Sequence, residues 1–334
     1  MLKLLLPILL CCYFSSTAQQ TVEQLRETAI TFQRQEDFTN TFMVLGRALE
    51  LSPQNLTILK DIAYTYYLAG DFKRAEDRIS PLLDRDDADV QVFQIAGNIY
   101  KILEKWKQAE KMYKKGLVKF PTSGPLCSEY GEMMWKLSRP EEAVKLWERG
   151  IISDPSYSEN YYHAAKFYFA AADKARSIVY GEIFVNLESY STRTSEIKML
   201  LIESYKRVFI ASDAKQYFIK KTTEFESRFL EILMRQSSLA VHGITPETLL
   251  VIRTRFLLDW FNMPENPFPF ELFSHMQNLL REGMFEAYNA WLFGPSSDIN
   301  AYQNWIKTHE VGFKRFQEYQ RNKLFRMPEG QYYF

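Results

Sequence analysis

Residues 90–121 read VQVFQIAGNIYKILEKWKQAEKMYKKGLVKFP. Gly97, Tyr100, Ala109, Tyr113, Gly116, Leu117 and Pro121 stand at fixed places within two stretches of helical periodicity. Small residues at Gly97 and Ala109 let two helices approach closely, an aromatic fills the space beside them, and Pro121 stops the second helix. A step of about 34 residues in either direction keeps the pattern in register. The eighth place of four successive units holds Ala29, Ala63, Gly97 and Gly131, all small. The twentieth holds Thr41, Ala75, Ala109 and Ala143. The twenty-fourth holds the large Leu45, Ile79, Tyr113 and Trp147, and the twenty-seventh holds Ala48, Leu82, Gly116 and Gly150. A generic helical bundle has no reason to hold one register over this length.

This spacing resembles the tetratricopeptide repeat, a helix–turn–helix unit that stacks into a superhelical solenoid. The resemblance covers residues 22–190. It implies an all-α fold: four in-phase units at 22–55, 56–89, 90–123 and 124–157, then one or two degenerate ones. Gly70-Asp71 and Ser138-Arg139-Pro140 read as turns inside units. In the fifth unit Ala164, Ala165 and Tyr168 keep the first-helix pattern. Ala175 arrives two places early, so a shortened turn is expected near Asp173. Residues 195–209 and 213–235 read as a further helical pair without the signature, as terminal repeats do.

Composition sets the bounds. The chain has 334 residues with 41 basic and 41 acidic side chains. That balance argues against nucleic acid as a partner, which calls for a basic excess. Aromatic residues make up 15%, a composition that suits both repeat packing and binding surfaces. Cys11 and Cys12 fall in the leader, so Cys127 stands alone and is read as core packing.

Residues 1–18, MLKLLLPILLCCYFSSTA, read as a secretory signal peptide: Lys3, an apolar run from Leu4 to Phe14, then Ser16-Thr17-Ala18 for cleavage. The mature chain then starts at Gln19, periplasmic or secreted. Lipidation at Cys11 is the competing reading, but Leu10 before it and Cys12 after it fit poorly. No other stretch is long and apolar enough to cross a membrane. Residues 19–239 form the expected helical array, and 240–334 a helical C-terminal region. There Thr245-Pro246 opens a helix to Phe261. Residues 262–269 form a loop, and helices follow over 270–282 and 284–293. Gly294-Pro295-Ser296-Ser297 reads as a second loop, and one last helix runs over 298–324. The segments RTRFLLDWFN and REGMFEAYNAWLFG resemble tails of exported repeat proteins of Bacteroidota-type bacteria.

Members of the repeat family bind peptides or protein surfaces in a groove lined by the first helix of each unit. The resemblance implies Lys60, Tyr64 and Tyr67 as groove residues of the second unit, and Gln94, Asn98 and Lys101 of the third. It implies Glu129, Glu132 and Trp135 from the fourth, and Tyr162, His163 and Lys166 from the fifth. Family members that clamp a terminal carboxylate carry a Lys–Asn pair on one first helix. Here the equivalent pairs are Arg26 with Ile30, Lys60 with Tyr64, and Gln94 with Asn98, so that clamp is not expected.

Chemistry is sparse. The 4 histidines have no partner histidine at i+3 or i+4, no phosphate-cradling glycine loop exists, and no Gly-x-Ser-x-Gly elbow occurs. Asp84, Asp86 and Asp87 crowd one turn but lack the glycine and terminal Glu of a calcium loop. Asn55-Leu56-Thr57 matches a glycosylation acceptor, a short motif that chance explains. The sequence therefore points to a non-enzymatic, exported adaptor or assembly factor that binds a protein or peptide segment, with no cofactor and no metal. Its complex would lie in the cell envelope. An enzyme with its site in 240–334, or a glycan-capturing component of an uptake system, is the alternative.

Overall fold

The structure is a computed structural model that describes residues 20–210, 223–263 and 267–334. The expected leader, the start of the helix expected over 213–235, and residues 264–266 of the expected loop lie outside them. The chain divides into two compact units, Met1–Glu104 and Lys105–Phe334.

The first unit holds α1 (Val22–Arg34), α2 (Phe38–Leu51), α3 (Leu56–Leu68), α4 (Phe72–Ile79, continued by a 3-10 turn over Ser80–Asp84) and α5 (Val90–Ile102). The second begins with α6 (Trp106–Lys119), α7 (Gly124–Lys136), α8 (Pro140–Ser153), α9 (Ser158–Ala170) and α10 (Lys174–Leu187). First helices thus start at a constant step of about 34 residues, as the register requires. Short polar side chains set many of these starts by accepting the amides that a first turn leaves unpaired. Thr21 forms a capping box with Gln24, and Asp37, Asp71, Asp89 and Asp173 each accept a first-turn N–H. Asn55 is one of these caps: its side chain accepts from Thr57 N at 3.0 Å and Ile58 N at 3.3 Å.

The register residues pack as their types demand. Ala29, Ala63, Ala75, Ala109 and Ala143 are buried, as are Leu45, Ile79, Tyr113 and Trp147. Gly131 shows why size matters: a Cβ there would lie 2.4 Å from Nε1 of Trp147. Cys127 is buried, and burial pushes its thiol up to about 11. It is an inert core group.

The same local turn follows the first helix of each repeat. Its fifteenth place has a positive φ, at Glu36, Gly70, Glu104, Ser138 and Ala172. The next amide then bonds five residues back, as in Asp37 N to Phe32 O at 3.0 Å and Asp71 N to Tyr66 O at 2.9 Å. Of these five, Gly70 alone adopts the left-handed conformation without steric cost. The turn in the fifth repeat is not shortened. Ser177, buried at the twentieth place, takes the role the sequence pattern gave to Ala175 and bonds Ser204 Oγ at 3.2 Å. The register therefore survives one repeat further than the alanines indicate.

The chain continues with α11 (Thr192–Ile210), α12 (Glu224–Met234), α13 (Pro246–Phe261), α14 (Glu271–Arg281), α15 (Phe285–Ser297), α16 (Ile299–Thr308) and α17 (Glu310–Asn322). The α14–α15 connection repeats the array's turn: Gly283 has φ 70° and Met284 N bonds Leu279 O at 2.8 Å. Two expectations fail here. Gly294-Pro295-Ser296-Ser297 is helical, the end of α15. Pro295 has no N–H to offer the carbonyl four residues back, Trp291 O. Lys198 of α11 supplies the missing donor: its Nζ bonds that carbonyl at 2.8 Å and lies 3.5 Å from the Trp291 ring centroid. A tertiary contact thus repairs the helix that the proline would end. The expected last helix is also two helices, interrupted at His309. The Tyr302 and Phe313 rings meet at 6.1 Å, a contact that one straight rod would hold apart by about 16 Å of helix rise.

A buried ionic centre joins this region to the array within the second unit. Arg253 of α13 meets Glu182 of α10 at 2.7 Å, with side chains 1% and 2% exposed. Tyr205 of α11 donates to Glu182 at 2.7 Å, and Arg253 donates to Asn289 of α15 at 2.9 Å. Burial opposes the charge on Arg253, but Glu182 offsets it and holds the guanidinium above its ordinary value.

The left-handed turn and the Lys198 contact have measurable consequences. Gly70→Ala should destabilise by about 1 kcal/mol, whereas Ala172→Gly should stabilise by less than that, because the more flexible unfolded chain offsets part of the relief. Denaturant midpoints decide it; two variants shifting in one direction would refute the turn. Burial lowers Lys198 to about 7. Between about pH 7 and the ordinary lysine range the unfolded chain holds a proton that the folded chain lacks, so stability contributed here rises with pH across that window. Lys198→Met should flatten this slope. It should also couple to Pro295→Ala by about 1 kcal/mol, since alanine returns the N–H that Trp291 O needs. Additive effects and an unchanged slope would count against this role for Lys198.

Candidate functional site

In the first unit α3 and α5 carry the expected groove residues, and polar contacts between first helices set their spacing. Arg26 bonds Asp61 at 2.7 Å, and Gln33 bonds Thr65 at 3.0 Å. Lys60 departs from expectation. It is 5% exposed, with its ammonium held by Asp89 and by Gln91 Oε1, the latter at 2.9 Å. It fastens α3 to the start of α5 rather than facing a ligand. Tyr64 is 37% exposed and lies parallel to Tyr67 at 5.8 Å. Gln94, Asn98 and Lys101 are half-buried on α5.

The second unit gathers more. Its helix α9 packs on both α7 and α11. Trp135 of α7 is 47% exposed. Its ring tilts on buried Trp147 at 6.1 Å and meets the edge of Phe167 at 6.1 Å. His163 stacks on Trp147 at 5.0 Å, and Tyr162 stands edge-on to His163 at 5.1 Å. Burial lowers the His163 pKa, aided by Lys166 and Arg193 and opposed by Glu132 and Glu159. The imidazole is thus held toward its neutral form, an aromatic wall rather than a cation.

Charge pairs border this aromatic group. Tyr162 donates to Glu196 at 2.6 Å, and Lys166 reaches Glu196 at 2.7 Å. Arg193 bonds Glu159 at 2.5 Å and Glu188 at 2.8 Å, and its guanidinium lies 5.2 Å from the Tyr162 ring centroid. Burial works to raise the Glu196 pKa, yet the bonds from Lys166 and Tyr162 hold it below the usual range. Glu129 is half-buried and accepts from Tyr113 OH at 3.1 Å, while Glu132 lies exposed on the same helix. The structure therefore brings Trp135, Tyr162, His163 and Lys166 onto adjoining first helices.

Sequence reasoning missed Glu159, Arg193, Glu196, Phe167 and the supporting Trp147. A signal existed: one further step of about 34 residues from Ser158 reaches Thr192, the start of α11. The lost small-residue signature concealed that this first helix continues the row. Among the described residues no group of His, Cys, Asp or Glu is placed to hold a metal ion, and no helix is long and apolar enough to cross a membrane.

Residues 33–99 match the family model described as Tetratricopeptide repeat, and the chain carries tetratricopeptide repeats in an all-α fold. That fold is typically a non-catalytic scaffold. No curated protein matches the chain. Among solved structures it is similar to TTC0263, a thermophilic repeat protein of Thermus thermophilus, with 14% identity, 55% of this chain and 100% of that one covered, and a TM-score of 0.46. It is similar to PilW, a type IV pilus biogenesis factor, with 16% identity, 60% and 91% covered, and a TM-score of 0.46. A third is YrrB, a repeat protein with an unusual peptide-binding site, with 15% identity, 52% and 90% covered, and a TM-score of 0.38.

Proposed function

We propose that this chain is an exported binding protein that holds an extended segment of a partner protein, acting as an adaptor or assembly factor in the cell envelope. The observation that carries the reading is Trp135: a large ring, half exposed, backed by buried Trp147 and flanked by His163 and paired charges on neighbouring first helices. Rigid aromatics supply contact area at little entropic cost, and interface energy concentrates in a few such anchors. The mixed charges of Glu132, Lys166, Arg193 and Glu196 suit a polar rim around that anchor. Export rests on the leader, Lys3 with its apolar run and Ser16-Thr17-Ala18.

Trp135→Ala should weaken capture of the partner from an envelope extract by about 1–3 kcal/mol while circular dichroism stays native. Val311→Ala, at a residue 84% exposed on α17, is the control and should capture as the parent does. If Trp135→Ala captures normally, the α7–α9–α11 face is not the working surface. Intact-mass measurement of the exported protein should show the first 18 residues missing. A retained Met1 would refute cleavage, and an acylated Cys11 or Cys12 would move the reading to surface capture, including that of glycans.

A further inference from the structure

A cleft of about 300 Å³ opens where the start of α13 meets α15 and α16, far in sequence from the aromatic face on α7 and α9. That volume sits at the small end of the range for ligand pockets, about 300–1,000 Å³. Its lining includes three carboxylates, Glu247, Glu286 and Asp298, and neither lysine nor arginine. Two helix N-termini also reach it, each worth about half a positive charge. Their first-turn amides are already engaged: Thr248 N bonds Thr245 Oγ1, and Asn300 N and Ala301 N bond Asp298 Oδ1 at 2.9 and 3.0 Å. Three full negative charges outweigh these two partial ones, so the lining carries a net negative charge.

The rest of the lining says what kind of cation. Tyr302 is seated against Gly294, where a Cβ would lie 2.4 Å from the ring. Trp305 is fixed by a parallel stack with His309 at 4.4 Å and an edge contact with Phe313 at 6.1 Å. His309 in turn lies 3.8 Å from Glu286 Oε1. A hard metal ion needs about six or more oxygens around it, and among the described residues no acidic or histidine group is gathered for that. Fixed aromatic rings beside exposed carboxylates instead suit a cation with an apolar body, through cation–π attraction and charge pairing.

We propose that this cleft binds a small organic cation, an alkylammonium or quaternary ammonium compound, its charge toward Glu247 and Glu286 and its apolar part against Tyr302 and Trp305. Calorimetric titration of the full chain tests it, at pH 8 to stay above the ordinary titration range of histidine. The probes are n-butylammonium and tetramethylammonium chloride, with sodium chloride at matched ionic strength and sodium butyrate as controls. Saturable binding of at least one ammonium probe, with none of butyrate, is the expected result. The Glu247→Gln, Glu286→Gln double variant should bind about tenfold more weakly. Both side chains are exposed, so the fold should persist. Absence of saturable binding by both ammonium probes, butyrate binding as tightly as butylammonium, or a double variant that binds as the parent does would each overturn the proposal.

Discussion

The second unit depends on one buried charge pair. Arg253 and Glu182 come from helices 71 positions apart in the chain and meet in a place nearly closed to water. Neither charge is tolerable there alone. Removing one partner of such a pair costs about 3–5 kcal/mol, while exchanging both for apolar residues can cost nothing. The pair is therefore weak evidence for net stability; what it constrains is pairing, because α10 and α13 can bury these two charges only together. Its surroundings extend that constraint. The guanidinium lies over the rings of Phe285, Tyr288 and Phe293 at 5.1–5.2 Å, and Asn289, which accepts from Arg253, donates to Pro246 O at 2.7 Å. Four helices, α10, α11, α13 and α15, are thereby held in one arrangement.

Both candidate surfaces of the second unit rest on this arrangement. Helix α11 contributes Tyr205 to the buried centre and Arg193 and Glu196 to the aromatic face. Helix α15 contributes Asn289 to the centre and Glu286 to the lining of the cleft. The surfaces differ in kind. The face on α7, α9 and α11 pairs its charges internally and leaves a broad ring exposed, as the proposed capture of an extended segment requires. The cleft is small and acid-rimmed, as the proposed binding of a compact cation requires.

Lys198 and Pro295 show how far a local rule reaches. Pro295 lacks the donor that α15 needs, and by local rules it ends a helix. Lys198, nearly a hundred residues earlier in the chain, supplies the donor, and α15 runs on to Ser297. Burial makes that contact titratable near neutrality. Lys60 is a similar case on a smaller scale, a lysine whose place in the repeat predicts exposure and whose partner Asp89 draws it inward.

The array was legible because the helices of a repeat pack through residues at fixed places, so size constraints such as that between Gly131 and Trp147 are written into the sequence at one period. One helix start was legible for a related reason: Thr245 acts on the Thr248 amide three residues away, whereas the equally local caps at Thr21, Asn55 and Asp71 emerge only in the structure. The left-handed turns were only partly legible, since Glu36, Glu104, Ser138 and Ala172 adopt the conformation that Gly70 announces. The aromatic face was read on α7 and α9 but lost on α11, where no small residue marks the register. Within the described residues of the C-terminal region, local pattern settled that helices form and how α13 begins. Long-range packing settled that α15 passes through Pro295, that the last helix breaks at His309, and which carboxylates share a cleft. Those outcomes depend on contacts between residues far apart in the chain, and a single sequence carries no periodic trace of contacts made only once.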